Sequence, residues 1–241
     1  MMKRMVFLLL AALVTSALMS LGVRAQGADE AKLRQVLQVK FPKAVVESIT
    51  KMPFGGLYEV VLGGEIVYAD AKAEYMMGGS LYDLRGTDMR NVTQETSQRL
   101  ASKALTTSHD SAIKMVRGNG KRVIYTFEDP NCGYCRELYK ELGKMNDITV
   151  YTFLLPILSP DSKEKSMAVW CAKDRAKAWD QLMTKTALTE TSKPCDTPLE
   201  KNALLAQRFN IRGTPAIFLA SGQQHGGYVP AAQIEQALAK K

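Results

Sequence analysis

RVIYTFEDPNCGYC, residues 122–135, decides the fold. Arg122 to Phe127 is rich in β-branched and aromatic residues, the composition of a strand. Pro130 shapes the turn that follows, and Asn131 is of a type that caps helices. From Cys135 the apolar residues Leu138, Leu142 and Met145 recur along one helical face. A pair of cysteines, Cys132 and Cys135, therefore stands where a strand hands over to a helix, with Gly133 and Tyr134 between them.

That placement has a chemical consequence. The first turn of a helix carries unpaired backbone N–H groups and the positive end of the helix dipole, and both favour thiolate over thiol. Thiolate is the attacking species in disulfide exchange. Cys132 is expected to be the exposed nucleophile, and Cys135, one turn further in, the buried partner that resolves a mixed disulfide. Other uses of a CxxC fit worse. Zinc wants four ligands, but the chain has no second CxxC, and its two histidines, His109 and His225, are isolated. A c-type haem site needs histidine after the second cysteine, and residue 136 is Arg. No metal or other cofactor is expected.

Downstream, Ile148–Leu155 reads as a buried strand, and residues 162–188 and 198–209 as helices. Ala216–Ala220 is a strand, with Gln224–Val229 as its hairpin mate, and Ala231–Lys241 is a closing helix. Strands alternating with helices give an α/β pattern. Gly213-Thr214-Pro215 precedes one of these strands. Proline cannot donate to a sheet ladder, so it marks a special loop there. A cis Thr214–Pro215 bond would expose neighbouring backbone to an incoming peptide.

Upstream, residues 29–41 show helical spacing of Leu33, Val36, Leu37 and Phe41. Strand-like pieces follow at Val45–Lys51, Leu57–Leu62 and Glu65–Ala69, the last two joined by a tight Gly63-Gly64 turn. Gly78-Gly79-Ser80 suggests a further hairpin between Tyr75–Met77 and Leu81–Asp83. Residues 26–88 thus form a small α+β unit that buries little surface alone and needs a partner. Residues 89–112 are mostly polar, with Leu100, Ala101, Ala104 and Leu105 as their apolar cluster, and read as a linker helix. Residues 113–241 make up the domain that carries the CxxC.

Lys3 and Arg4 precede an apolar run from Met5 to Leu21, and Val23-Arg24-Ala25 offers a cleavage site. This is the anatomy of a secretory signal peptide covering residues 1–25; the run is shorter than the ~20 residues of a spanning helix. Removing Lys3, Arg4 and Arg24 lowers the formal net charge from +8 to +5. The remaining charge is dispersed, so no nucleic-acid partner is expected. Export places four cysteines in an oxidising compartment, where an even number signals disulfides.

The segments FEDPNCGYC (127–135) and GTPA (213–216), with the exported chain, the small N-terminal unit and the linker helix, resemble the periplasmic protein-disulfide isomerases of the DsbC type. The related DsbG type typically carries Pro-Tyr where this chain has Gly133-Tyr134. The resemblance covers essentially the whole mature chain. It implies a thioredoxin-like catalytic domain with a helical insert, α/β in class, joined by the linker helix to an α+β cystatin-like N-terminal dimerisation domain. It places the reactive pair on Cys132 and Cys135, substrate contacts on Gly133, Tyr134, Thr214 and Pro215, and a structural disulfide on Cys171 and Cys195. It also implies a V-shaped homodimer in the periplasm, acting on misoxidised secreted proteins and kept reduced by a membrane thiol reductant of the DsbD type. A DsbA-like oxidase or cytochrome-maturation reductase is the enzymatic alternative, and a holdase chaperone the non-enzymatic one.

Overall fold

A computed structural model describes residues 27–185, 188 and 193–239. The expected signal peptide lies outside the described residues. The chain divides into two units, the first ending at Thr93 and the second beginning at Gln94.

In the first unit, residues 27–40 form helix α1. Its Leu33 and Leu37 are fully buried against Val46, Tyr58, Val60 and Val67. Those partners lie on an antiparallel sheet of β1 (Val46–Lys51), β2 (Leu57–Leu62), β3 (Glu65–Asp70) and β4 (Met76–Gly78), in that order. Gly63 and Gly64 join β2 to β3, both with positive φ (59° and 88°). That is the backbone of a two-residue hairpin whose twist matches its strands.

The hairpin expected across Gly78-Gly79-Ser80 is not formed. β4 pairs with β3, while β5 (Tyr82–Asp83) pairs with β6 (Arg90–Asn91). The reason lies downstream: the Leu81 N–H donates to Thr93 Oγ1 and the Leu81 carbonyl accepts the N–H of Val92. The segment after the glycines is thus held by the start of helix α2 (Val92–Thr107).

The second unit is built on a five-stranded sheet in the order β11-β10-β8-β9-β7. The strands are β7 (Ile113–Arg117), β8 (Arg122–Glu128), β9 (Ile148–Leu154), β10 (Ala216–Leu219) and β11 (Gln224–Gly226). β8 and β9 are parallel, with helix α3 (Gly133–Gly143) as their crossover; the other pairs are antiparallel.

Alternation along β8 sorts its side chains onto two faces. Tyr125 and Phe127 pack with Phe153, Phe218, Ala101 and Leu105 of α2, and Ala206 of α6 (Leu199–Arg208). Ile124 packs on the other face with Leu138 and Leu142 of α3 and Ile234 of α7 (Ala231–Ala239). The apolar residues of the mostly polar α2 are thus core residues of this unit. Gly222, in the β10–β11 turn, has φ +84°, and a Cβ there would stand 1.9 Å from the Gln98 carbonyl oxygen.

The helix expected over 162–188 is two helices, α4 (Pro160–Trp170) and α5 (Arg175–Lys185). The break follows from local chemistry. Asp174 Oδ1 accepts the N–H of Lys177 at 3.0 Å, starting a new helix as a cap does. Trp170 and Trp179 from the two helices are buried against Leu154 and Ile113.

Candidate active site

β8 ends at Glu128, and α3 begins at Gly133. Between them the Cys132 N–H donates to the Asp129 carbonyl at 3.0 Å, closing a turn. Cys132 itself is the N-cap of α3, with extended backbone, and its sulfur accepts the N–H of Cys135 at 3.1 Å. A sulfur thus takes the place of the usual capping oxygen. Asn131, expected as the cap, is used elsewhere. Its side-chain amide donates to Ser159 Oγ (3.0 Å), Asp161 Oδ2 (2.9 Å) and Ser162 Oγ (3.0 Å) at the start of α4.

Cys132 is not the exposed nucleophile that the sequence suggests: it is 4% exposed, and Cys135 is 0%. Thr214 lies against the Cys132 sulfur. When protonated, the Cys132 thiol donates to the Thr214 carbonyl at 3.3 Å. The Thr214–Pro215 bond is cis. Tyr134, by contrast, is 69% exposed. A shallow groove lined by Arg212, Gly213, Thr214, Pro215, Gly226 and Gly227 lies beside the same loop.

The two thiols, both free, are pushed in opposite directions. The hydrogen bond from the Cys135 thiol is the largest influence on Cys132 and brings its pKa down to about 6, against the cost of burial. The Thr214 hydroxyl and the N–H groups of Cys135 and Tyr134 add to this. That hydroxyl is buried and has no hydrogen-bond partner among the described residues, so it is available to an ionised sulfur. Cys135 is raised, first by burial, then by its bond to Cys132 and by the Glu128 charge. At neutral pH the pair therefore holds one proton, on Cys135, and the negative charge sits on Cys132.

Two adjacent acids under this turn were left without a role by the sequence. Asp129 is 0% exposed and fully engaged. Its Oδ1 accepts the Asn131 N–H and the Ser162 hydroxyl, both at 2.8 Å, and its Oδ2 accepts the N–H groups of Ile157 (2.8 Å) and Leu158 (3.0 Å). Glu128 is 1% exposed. Burial lifts its pKa to about 7, against hydrogen bonds from the Thr126 and Thr152 hydroxyls, with the Cys132 charge adding to the rise. Their adjacency within FEDPNCGYC was the available signal; the strand period puts them on opposite sides.

The structure brings Cys132, Gly133, Tyr134, Cys135, Thr214 and Pro215 together. Cys171 and Cys195 are joined by a disulfide that lies apart from them. Cys171 caps the C-terminus of α4, whose N-terminus holds Asn131, and eleven helical residues span about 16 Å.

Residues 24–94 match the model of a disulfide bond isomerase protein N-terminal domain, and residues 109–241 that of a thioredoxin-like domain. A probable thiol:disulfide interchange protein DsbC of Bordetella parapertussis is 42% identical over 80% of this chain and 68% of its own length. The thiol:disulfide interchange protein DsbC of Escherichia coli K12 is 29% identical over 88% of each chain. Among solved structures, a disulfide interchange protein from Neisseria gonorrhoeae is 41% identical, with TM-score 0.53, over 55% of this chain and 96% of its own.

Proposed function

This chain belongs to the DsbC family of thiol:disulfide interchange proteins, and we propose that Cys132 and Cys135 are the pair through which it acts. It is a thiol-disulfide oxidoreductase of the disulfide-isomerase type. One observation carries the assignment of the pair. The Cys132 sulfur caps α3, accepting the Cys135 N–H at 3.1 Å, and its pKa is drawn down to about 6 while that of Cys135 is raised. One sulfur is an ionised nucleophile at neutral pH and the other is held in reserve as a thiol.

The Cys132 thiolate attacks one sulfur of a wrong disulfide in a misoxidised secreted protein. The substrate S–S bond breaks, a mixed disulfide forms, and the second substrate sulfur leaves as thiolate. That thiolate attacks another disulfide of the substrate, ultimately returning Cys132, and the net change is isomerisation. Alternatively Cys135 attacks Cys132, and the substrate leaves reduced. Gly133, Tyr134, Thr214 and Pro215 form the substrate contact. Exposed Tyr134, with Ile157 (48% exposed) and Leu158 (55%) just past β9, supports capture of apolar unfolded chain.

The remaining assignments follow from the family and from the first unit. Tyr75 (78% exposed), Leu84 (71%) and Met89 (67%) leave that unit with apolar surface, which favours a homodimer formed through it. Residues 26–88, 89–112 and 113–241 serve as dimerisation domain, linker and catalytic domain. The N-terminal match favours an isomerase over a DsbA-like oxidase or a cytochrome-maturation reductase. The site of action is the periplasm, where a membrane thiol reductant of the DsbD type restores the dithiol. Cys171–Cys195 is structural. Holding of unfolded chains accompanies exchange.

Refolding of a protein with scrambled disulfides tests the reading. The reduced chain should restore native activity catalytically, and Cys132→Ser should abolish this. Aggregation suppression surviving in the Cys132→Ser, Cys135→Ser double variant would separate holding from exchange. A Cys132→Ser variant that still isomerises sinks the assignment.

A further inference from the structure

The groove beside the Thr214–Pro215 bond carries a charge that the exchange chemistry leaves unused. Residues 210–216 form one wall, and Gln224, Gly226 and Gly227 the other, around about 250 Å³. Gly226 and Gly227 bring no side chain, and a Cβ at either would meet nothing within 4 Å. The groove therefore stays open next to Pro215. Among the described residues that line it, Arg212 is the only charged one. We propose that Arg212 makes this groove a subsite for carboxylate side chains, so that the protein favours disulfides flanked by Asp or Glu; this rests on the reading of Cys132 and Cys135 as the reactive pair.

The end of α6 positions the guanidinium. Asn210 has φ 52°. Its N–H donates to the Gln207 carbonyl at 3.0 Å, and the Ile211 N–H donates to the Ala206 carbonyl at 2.9 Å. Two such bonds around a left-handed residue make a Schellman ending, where glycine is the usual choice and asparagine an occasional one. Asparagine adds what glycine lacks: its Oδ1 accepts the Arg212 Nε–H at 2.9 Å. The helix ending thus steers the side chain that follows it. The Nη groups of Arg212 make no hydrogen bond or ion pair among the described residues. They are free to grip a carboxylate as a two-pronged donor.

Other cations around the cysteine turn are already engaged. Arg136 donates to the Pro130 carbonyl at 3.0 Å. Lys165 pairs with Asp161 at 2.7 Å and donates to Asn131 at 2.8 Å. Arg212 differs from both in being exposed and without an anionic partner among the described residues. It is also within reach of a bound substrate. The Thr214 carbonyl lies 3.3 Å from the Cys132 sulfur, and extended chain advances about 3.3 Å per residue. Arg212, two residues before Thr214, therefore stands within about 7 Å of it along the loop. Residues next to a substrate cysteine joined to Cys132 fall within that span.

Electrostatics gives the subsite its use. A carboxylate beside a substrate disulfide repels the incoming Cys132 thiolate. It also raises the pKa of the departing substrate thiol, which makes it a poorer leaving group. Disulfides with acidic neighbours are therefore slow to react with an unassisted thiolate. A guanidinium that pairs with the carboxylate offsets both effects. The ionisation of Cys132 itself is supported by Cys135, Thr214 and Tyr134, so Arg212 acts on the choice of substrate.

Three disulfide-linked fluorogenic peptides, identical except for Asp, Asn or Lys beside the cysteine, test this with the full reduced chain. Second-order rates of reduction are measured for each peptide, and the ratios are taken within each variant, so a general change in rate cancels. The native chain should reduce the Asp peptide about three- to fivefold faster than the Asn peptide, the size of an exposed ion pair, and the Lys peptide slowest. High salt should shrink the spread. Arg212→Gln should bring the Asp to Asn ratio to one or below, and Arg212→Glu should make the Lys peptide the fastest. Asn210→Gly keeps the helix ending but releases the guanidinium, and should lose part of the preference. A native ratio of one, or a ratio unmoved by Arg212→Gln and Arg212→Glu, overturns the proposal. Failure of the native chain to reduce any of the three peptides overturns instead the assignment of the pair.

Discussion

The hydroxyl of Ser162 donates to Asp129 Oδ1 at 2.8 Å, tying the first turn of the insert helix α4 to the turn that presents the cysteines. Asp129 also accepts three backbone N–H groups, from Asn131, Ile157 and Leu158. Asp129→Ala would leave all four donors buried or half-buried without their acceptor. Each such loss costs about 1–3 kcal/mol where water cannot substitute, so the variant should be less stable by about 3 kcal/mol or more. Denaturant titration measures this; a loss under about 1 kcal/mol would show that water replaces the carboxylate.

The ionisation of Cys132 should be visible in alkylation rate against pH, with a midpoint near 6. The thiol of Cys135 is its largest support, so Cys135→Ala should move the midpoint upward, toward the ~8.5 of free cysteine. Because the folded value is depressed, ionisation stabilises the reduced protein fully above the unfolded pKa. That contribution is lost as pH falls through about 6. A midpoint unmoved by Cys135→Ala would assign the effect to the helix N–H groups instead.

Glu128 should contribute with the opposite sign. Its folded pKa, about 7, lies above its ordinary 4.5, so the folded state holds the proton longer and stability falls as pH rises between those values. The difference corresponds to about 3 kcal/mol. The oxidised protein isolates the larger part, due to burial, since neither Cys132 nor Cys135 then titrates and the Cys132 charge that adds to the rise is gone. Denaturation at several pH values should show the decline in native protein and its absence in Glu128→Gln.

Replacing both Cys171 and Cys195 by Ala should lower stability by about 3–4 kcal/mol in the loop-entropy picture, given their sequence separation of 24. Exchange by Cys132 should persist in the folded fraction, because the disulfide sits at the far end of α4. Thermal melts together with insulin reduction check both halves. Loss of exchange in fully folded protein would contradict a purely structural role.

Much of this was legible in the chain. The strand-to-helix handover at Cys132, the Gly63-Gly64 hairpin and the helical stripe of Leu138 and Leu142 are local patterns, set by periods of two and 3.6 residues. What escaped reading depends on distant partners. The polar α2 hides Ala101 and Leu105 among residues from four other elements. Three of the four donors to Asp129 come from residues 157–162, so its role is invisible until β9 lies beside β8. Periodicity runs on through residues 171–174, where α4 has already ended at Trp170 and Asp174 caps the next helix. Cys132 meets Thr214 only because β10 lies beside β8 in the folded sheet.

Gly222 links two distant parts of the chain in a different sense. With a Cβ at this position 1.9 Å from the Gln98 carbonyl oxygen, no side chain enters the β10–β11 turn while α2 keeps its course. Drift at residue 222 is therefore conditional on a shift of backbone around residue 98. A lineage that replaced this glycine would have to carry a compensating displacement of α2, because the new Cβ would also stand 2.9 Å from the Ser102 nitrogen.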